Sequence, residues 1–412
     1  MNESQTSRAY RIGRKAIEIL EQAGKQARFA GGCVRDHQLG VKPKDYDVAT
    51  TATPEEICTI FKQENQRVVP TGIDHGTITV VIKGIAIEVT TLRQDIETDG
   101  RHAKVQFGQS FQEDAARRDF TINALFEDKD GKVYDYYGGL EDLKNQVLRF
   151  VGEASGRIQE DYLRILRFFR FWARLQFSAD KAALKAIDTH KDGLRQISRE
   201  RILAELMGVL ASDAPQAALN SMATLGILQI VLGDWGKTPH GWPSEDFAKD
   251  SELRRHYRLL HLLRDELTLQ DLRELKGFLK MKNQSLDLIQ ALGLIEIEPP
   301  TPDSDRAGVM NFIDQVERLV GPQIPLKDMV QAWSCLFHEQ KNLWSSIDVV
   351  EEQFRSLRLK SLPLKGDAVA EALGLEEGVA LGRIMKELKR RFRNGEWESA
   401  AEGLALAPTL VD

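Results

Sequence analysis

The pattern of apolar residues changes character at about Ile158, and that change splits the chain into two kinds of fold. Before it, "QRVVPTG", "GTITVVIKG" and "IAIEVTTLR" are rich in β-branched residues and punctuated by glycine, as strands are. Among them "RKAIEILEQAG" has helical spacing, "ARFAGG" reads as a strand running into a turn, and "TPEEICTIF" opens a helix with Thr53 as cap ahead of Pro54. After it, "QEDYLRILRFFRFWARLQF", "SRERILAELMGVL" and "RRHYRLLHLLRDE" carry only helical periodicity. The expected class is therefore α+β multidomain, a mixed α/β head followed by helical domains. Stretches rich in Pro, Gly and charge near 234–246 and 295–306 mark divisions within the helical part. This gives a head over 1–150 and helical segments over 151–232, 233–305 and 306–412. The polar stretch from Gln94 to Gln109 interrupts the strands and is expected to be mobile.

One short unit concentrates the chemistry. In "FAGGCVRDHQLGVKPKDYDVATTATPEE", Gly31 and Gly32 follow an apolar strand, where glycine lets backbone N–H groups approach a phosphate closely and aims the next helix at it. Neither the dinucleotide fingerprint nor a P-loop is present. Asp45 and Asp47 stand at i and i+2, so on a strand both carboxylates leave the same face. Such a pair can bridge two Mg²⁺ ions, which activate a hydroxyl and stabilise a leaving pyrophosphate; a solvated strand end has the same pattern. Glu88 interrupts the apolar alternation of "IAIEVTT", where a carboxylate wants a cation or a metal, and is a candidate third acidic member. Glycine turn and carboxylates together suggest a nucleoside triphosphate bound through Mg²⁺.

Bulk properties narrow the class. At 412 residues and 42% hydrophobic content the chain can bury more than one core. No run approaches the roughly 20 apolar residues of a membrane span, and the first ten residues lack the pattern of a signal peptide. The scattered Cys33, Cys58 and Cys335 suit neither a disulfide framework nor a structural zinc site, which fits a reducing cytoplasm. With a net charge of -6, any nucleic acid must be met by local basic patches.

Several segments, in order, resemble the tRNA nucleotidyltransferases of the bacterial and eukaryotic class, the family that includes CCA-adding enzymes and bacterial poly(A) polymerases. They are "GGCVRDHQLGVKPKDYDVAT", "VTTLRQD", "DGRH", "DAARRDFTINALFED", "DYYGGLEDL", "EDYLRILRFFRF" and "SRERILAEL". The resemblance implies a nucleotidyltransferase head, a helical neck, and body and tail helices holding the acceptor arm of tRNA, with ATP and CTP as substrates and no membrane or obligate protein partner. It implies that Asp45 and Asp47 ligate catalytic Mg²⁺ and that Gly31, Gly32 and Arg35 lie beside the triphosphate. It also implies that Arg118, Asp119 and Asn123 position the nucleotide and its ribose.

In "EDYLR", Asp161 and Arg164 stand at i and i+3, on one side of a helix. Arginine can donate to the ring nitrogen and carbonyl of cytosine or to N1 of adenine while aspartate accepts from the exocyclic amine, a pairing that rejects uracil and guanine. Taken without the family, Glu160, Asp161, Arg164, Arg167 and Arg170 also read as surface ion pairs; the resemblance makes them nucleotide-selecting, with Arg157 in support. In the tail, Lys365 with Lys386, Lys389, Arg390, Arg391 and Arg393 is the candidate RNA-binding set. "TLRQDIETDGRHAKVQFGQSF" keeps a loop that strict CC-adding enzymes lack, and "PTGIDHGTITVVI" stands where poly(A) polymerases carry Arg-Arg-Phe. The expectation is full CCA addition, with A-only addition of a CC-ended tRNA open beside it. A small-molecule nucleotidyltransferase would leave the neck and tail unexplained, and a non-catalytic RNA binder would leave the carboxylates unexplained.

Overall fold

The computed structural model describes residues 8–411 apart from 74–75, 99–102, 108–109, 238–250, 300–305, 321–323, 325, 337–361, 377 and 394–395. The chain divides into two compact units, Met1–Asp234 and Trp235–Asp412. Much of each Pro-rich stretch near 234–246 and 295–306 lies outside the described residues.

The first unit is built on a seven-stranded sheet of order β3-β4-β5-β2-β1-β8-β9. Its strands are β1 (Ala27–Ala30), β2 (Asp47–Thr50), β3 (Arg67–Gly72), β4 (Thr77–Ile82), β5 (Ile85–Thr91), β8 (Leu125–Glu127) and β9 (Val133–Asp135). Neighbours run antiparallel except β2 and β5, which are parallel with Asp47 opposite Glu88. Alternation sorts the side chains: Ile78, Val80, Ile87, Val89 and Val48 are buried on one face, under α1 (Arg8–Gln22) and α3 (Pro54–Gln63). Asp47, Glu88, Thr77 and Thr90 fall on the other face, which is why the carboxylates have room for chemistry. Thr53 caps α3 in a full capping box with Glu56, as its position before Pro54 led one to expect.

Two local expectations give way. β2 begins only at Asp47, so Asp45 precedes the strand and is exposed. β1 turns away at Gly31, and its pairing with β2 ends at Phe29 opposite Val48, short of Asp45. The stretch 94–109, expected to be a mobile interruption, instead contains most of a paired hairpin, β6 (Arg93–Thr98) with β7 (Ala103–Phe107). Its backbone ladder supplies the order that its polar sequence does not signal.

The helical part of this unit contains α4 (Phe111–Ala116), α5 (Gly139–Asn145), α6 (Ala154–Glu160), α7 (Leu163–Leu175), α8 (Lys181–His190), α9 (Arg199–Leu210), α10 (Gln216–Thr224) and α11 (Ile227–Leu232), with a two-residue parallel pair, β10 (Val147–Leu148) and β11 (Ser178–Ala179). The α7 residues Leu163, Ile165, Leu166, Phe168, Phe169 and Phe171 are buried. Phe120, on the turn before Thr121–Asn123, packs its ring against Phe150, Phe168 and Phe171. That aromatic seam joins residues 1–150 to the helices that follow, so head and neck form one unit.

The second unit is helical: α12 (Ser251–Leu262), α13 (Leu269–Leu279), α14 (Asn283–Leu292), α15 (Arg306–Val320), α16 (Leu326–Leu336), α17 (Gly366–Leu373), α18 (Val379–Arg393) and α19 (Ala400–Leu406). One apolar cluster runs from Leu253 to Trp333, whose indole N–H donates to the Ala291 carbonyl at 3.0 Å. The division placed at 305/306 therefore cuts through a single core. A second cluster gathers Val369, Ile384, Leu388, Phe392 and Trp397. Among the described residues no single helix is long and apolar enough to cross a membrane.

A Cβ built on Gly193 would lie 2.0 Å from the Tyr162 ring, beside Asp161. Gly193→Ala is expected to lower the unfolding free energy of the first unit by about 1–3 kcal/mol through overpacking; calorimetry on the variant checks this, and an unchanged transition would contradict it.

Candidate active site

Gly31 sits at φ 72°, a conformation that favours glycine, and its N–H donates to the Leu125 carbonyl at 2.9 Å. A Cβ there would stand 2.7 Å from Arg118 Nη1. The turn thus brings backbone and a guanidinium together as α2 (Gly32–Gln38) begins. These residues form one wall of a cavity of about 460 Å³ that also receives Arg35, Asp119, Asn123, Asp161, Arg164 and Arg167. Nine of the residues singled out in the sequence meet there. Phe171, Arg174 and Arg201 line it as well, and sequence reasoning had not singled them out. Arg170 does not reach the lining; it pairs with Glu205 at 3.1 Å.

The cavity's arginines are held from behind by carboxylates. Asp36 is buried and accepts from Arg35 at 2.6 and 2.8 Å and from Arg174 at 3.0 Å. Asp114, also buried, accepts from Arg117 at 2.6 Å and Arg118 at 2.9 Å. Arg35 donates on to Asn123, whose amide donates to Asp119 at 3.1 Å. Asp119 in turn accepts from the Phe120 N–H at 2.8 Å and from Arg167 at 2.6 and 2.9 Å. Burial alone would raise the Asp119 carboxyl, yet Arg167, Asn123 and the Phe120 N–H hold it below the usual carboxylate range. The Asp119–Arg167 pair links the head to α7.

Asp161 and Arg164 do not share a continuous helix face. Asp161 is extended, at φ −155° and ψ 103°, between α6 and α7. Its Oδ1 accepts from the Leu163 N–H at 3.0 Å, and Oδ2 accepts from Arg201 at 2.6 Å. Asp161 thereby satisfies one of the first N–H groups of α7, which have no partner within the helix, and this favours the break. Arg164 donates through Nη1 to the Arg157 carbonyl at 2.7 Å and to Glu160, and through Nη2 to the Arg117 carbonyl at 3.1 Å. Arg157 also bonds Glu160 and the Ala116 carbonyl.

A second cavity of about 280 Å³ shares Gly32 and Arg118 with the first and contains Asp47 and Glu88. Burial pushes the Asp47 carboxyl up to about 6; Glu88 and Asp45 act in the same direction and Arg118 against it. Asp45, though off the strand, thus remains close enough to act on Asp47. Among the described residues no group of three or more His, Cys, Asp or Glu side chains is assembled to hold a metal. In the second unit, Lys386, Lys389 and Arg390 line a separate cavity of about 490 Å³ with Arg318 and Arg383. Arg390 and Arg391 both pair with Glu387, Lys365 is exposed at the start of α17, and the Arg393 side chain lies outside the described residues.

The Asp119–Arg167 pair has a definite pH signature. A carboxyl held low when folded adds stability above its unfolded value of about 3.9, and loses it as pH falls through the depressed folded value. Asp119→Asn is expected to cost roughly 2 kcal/mol at pH 7, moderated by the partial exposure of Arg167, and to weaken the loss of stability below about pH 4. Urea unfolding at pH 7 and pH 3 checks both; equal pH dependence in variant and wild type would contradict the assignment.

Comparison with known proteins places this geometry. Residues 27–149 match the family described as "Poly A polymerase head domain", and residues 176–235 the one described as "Probable RNA and SrmB- binding site of polymerase A". The mitochondrial CCA tRNA nucleotidyltransferase 1 of Danio rerio is 48% identical over 216 residues, which is 52% of this chain and 50% of that one. Its Homo sapiens counterpart is 34% identical over 406 residues, covering 94% of this chain and 87% of that protein. The crystal structure of the Bacillus stearothermophilus CCA-adding enzyme in complex with CTP superposes with a TM-score of 0.74 at 27% identity, covering 98% of both chains. With a nucleotidyltransferase head, a helical remainder and similarity running nearly end to end, the chain belongs to the family of CCA-adding tRNA nucleotidyltransferases.

Proposed function

We propose that the chain adds the 3′-terminal CCA to tRNA, drawing on CTP and ATP and releasing pyrophosphate, with Mg²⁺ as its metal. The observation that carries this reading is the cavity in which the glycine turn, Arg35, Arg118, Asp119, Asn123, Asp161 and Arg164 converge. Its guanidiniums suit a triphosphate, which Arg35, Arg118 and Arg174 would bind beside the turn. Arg164 has five N–H donors, of which Nη1 uses two and Nη2 one on protein acceptors. The Nε–H and one Nη2–H remain, and would supply the two donors that cytosine's ring nitrogen and carbonyl require. Asp161 keeps lone pairs beyond those engaged by Leu163 and Arg201, available to an exocyclic amine. Arg167 and Arg170 would support that edge through Asp119 and Glu205.

The carboxylates fit a divalent cation. Asp47 and Glu88 stand side by side in register, and among the described residues neither side chain has an ion pair or hydrogen bond; burial, with Glu88 beside it, keeps the Asp47 carboxyl elevated, a cost that a bound cation would offset. Mg²⁺ held by Asp47 and Glu88, with Asp45 drawn in beside them on binding, would acidify the acceptor 3′-hydroxyl and offset charge on the leaving group. In the transfer, the 3′-oxygen bonds to the α-phosphorus, the α–β phosphoanhydride bond breaks, and the hydroxyl proton passes to solvent. Positioning and charge stabilisation by the cavity residues supply the rate. The basic α18 cluster is a candidate for tRNA phosphates, and the small number and scatter of the cysteines, Cys33, Cys58 and Cys335, fit a reducing, cytoplasmic setting.

The deciding experiment extends two tRNAs, one ending at the discriminator base and one in CC, with CTP, ATP or both. Three additions to the first are expected, and Asp47→Ala is expected to lower turnover by at least about a thousandfold while the fold persists. Addition of A to the CC-ended tRNA alone would make this an A-adding enzyme, and near-normal turnover by Asp47→Ala would remove the carboxylates from the chemistry. Mg²⁺ is also expected to raise the melting temperature of the wild type and not of Asp47→Ala, a thermal-shift readout independent of activity.

A further inference from the structure

The sheet face that carries Asp47 and Glu88 continues past them into a surface of different chemistry. Thr77 on β4 lies directly opposite Thr90 on β5, and their hydroxyls are hydrogen-bonded at 3.0 Å. Both residues are half-buried and line the same cavity as the carboxylates. Thr90 stands two residues beyond Glu88 on one strand and on the same face, about 7 Å further along the sheet. Arg93 and Arg117 also line this cavity. Cross-strand threonine pairs occur in many sheets for stability alone. The setting here differs, because the pair shares one small cavity with two carboxylates and guanidinium groups.

A two-substrate transfer needs two seats that meet at the reacting atoms. The first cavity suits the triphosphate donor, and the second joins it through Gly32 and Arg118. Resting on the nucleotidyl-transfer reading above, we propose that the second cavity seats the terminal ribose of the acceptor strand. In it the Thr77–Thr90 hydroxyl pair bonds the 2′-hydroxyl and so makes the enzyme select an acceptor that ends in ribose rather than deoxyribose. Within the pair one hydroxyl donates to the other, which leaves one O–H and further lone pairs to meet a third hydroxyl. A vicinal diol is suited to this floor, since one of its oxygens can face the carboxylate end while the other faces the threonines. Arg93 and Arg117 stand where they can meet the phosphate that precedes that ribose. In the proposed function the donor's own ribose would lie elsewhere, beside Asp119 and Asn123 of the first cavity.

The test compares tRNAs ending in a ribose or a 2′-deoxyribose cytidine, with ATP as donor. For the wild type, kcat/KM is expected to favour the ribose end by roughly 3- to 10-fold, the worth of one hydrogen bond. In Thr90→Val that ratio is expected to fall toward 1, and Thr90→Ser, which restores the hydroxyl, is expected to recover it. The preference for ATP over 2′-deoxy-ATP is expected to stay at its wild-type value in both variants. The proposal is overturned if the wild type is indifferent to the acceptor sugar, if Thr90→Val keeps the wild-type ratio, or if the change appears in the donor preference instead. A wild type that extends neither acceptor would overturn the transfer reading itself, so the two failures are distinguishable.

Discussion

The Asp119–Arg167 ion pair holds together the two halves of the candidate site. Asp119 belongs to the head, one residue before the aromatic seam begins at Phe120, and Arg167 belongs to α7. A buried carboxylate without a cation is costly, and a guanidinium facing an arginine-lined cavity is costly in the opposite sense. Each removes the other's penalty, and the geometry that does so fixes the helix carrying the neck arginines against the turn carrying Asn123 and Gly31. The linkage runs on through Asn123 to Arg35, then Asp36 and Arg174, so that a hydrogen-bonded chain encircles the cavity and closes on α7 again. Apolar packing of Phe120 with Phe150, Phe168 and Phe171 supplies the non-directional attraction; the ion pairs supply the register.

The head sorts its side chains by the two faces of one sheet. The face under α1 and α3 is apolar and closed, while the other combines a smaller apolar cluster around Ala30, Ala49, Phe111 and Phe126 with polar groups. The other bears Asp47 and Glu88 in adjacent strands, where burial and then the neighbouring Glu88 push the Asp47 carboxyl up to about 6. A sheet tolerates such a pair because the register is set by the closed face, which a slip of one residue would turn outward.

Much of this was legible in the sequence wherever the determinant is local. The glycine turn, the Thr53 cap and strands β3, β4 and β5 follow from turn chemistry, capping and β-branched residues. The resemblance brought Asp119, Asn123, Asp161 and Arg164 together before any geometry was known. Arg174 and Arg201 stayed hidden because their partners, Asp36 and Asp161, are 138 and 40 residues away, and one arginine on a charged helix looks like another. The break at Asp161 was hidden for a different reason: no glycine or proline marks it, and an aspartate bonding the first N–H of the next helix leaves a pattern that still reads as continuous helix. The β6–β7 hairpin was missed because its polar residues lack the apolar alternation by which half-buried strands are recognised.

The attachment of Arg164 has a consequence for fidelity. Three of its donors are spent on Glu160 and on the main-chain carbonyls of Arg157 and Arg117, which come from two separate parts of the chain. A guanidinium tethered in that way cannot swivel to suit an ill-fitting base, because doing so would break bonds to backbone that has no reason to move. In the proposed function the residue would act as a fixed gauge, accepting a nucleobase whose edge matches donors whose positions were set when the protein folded.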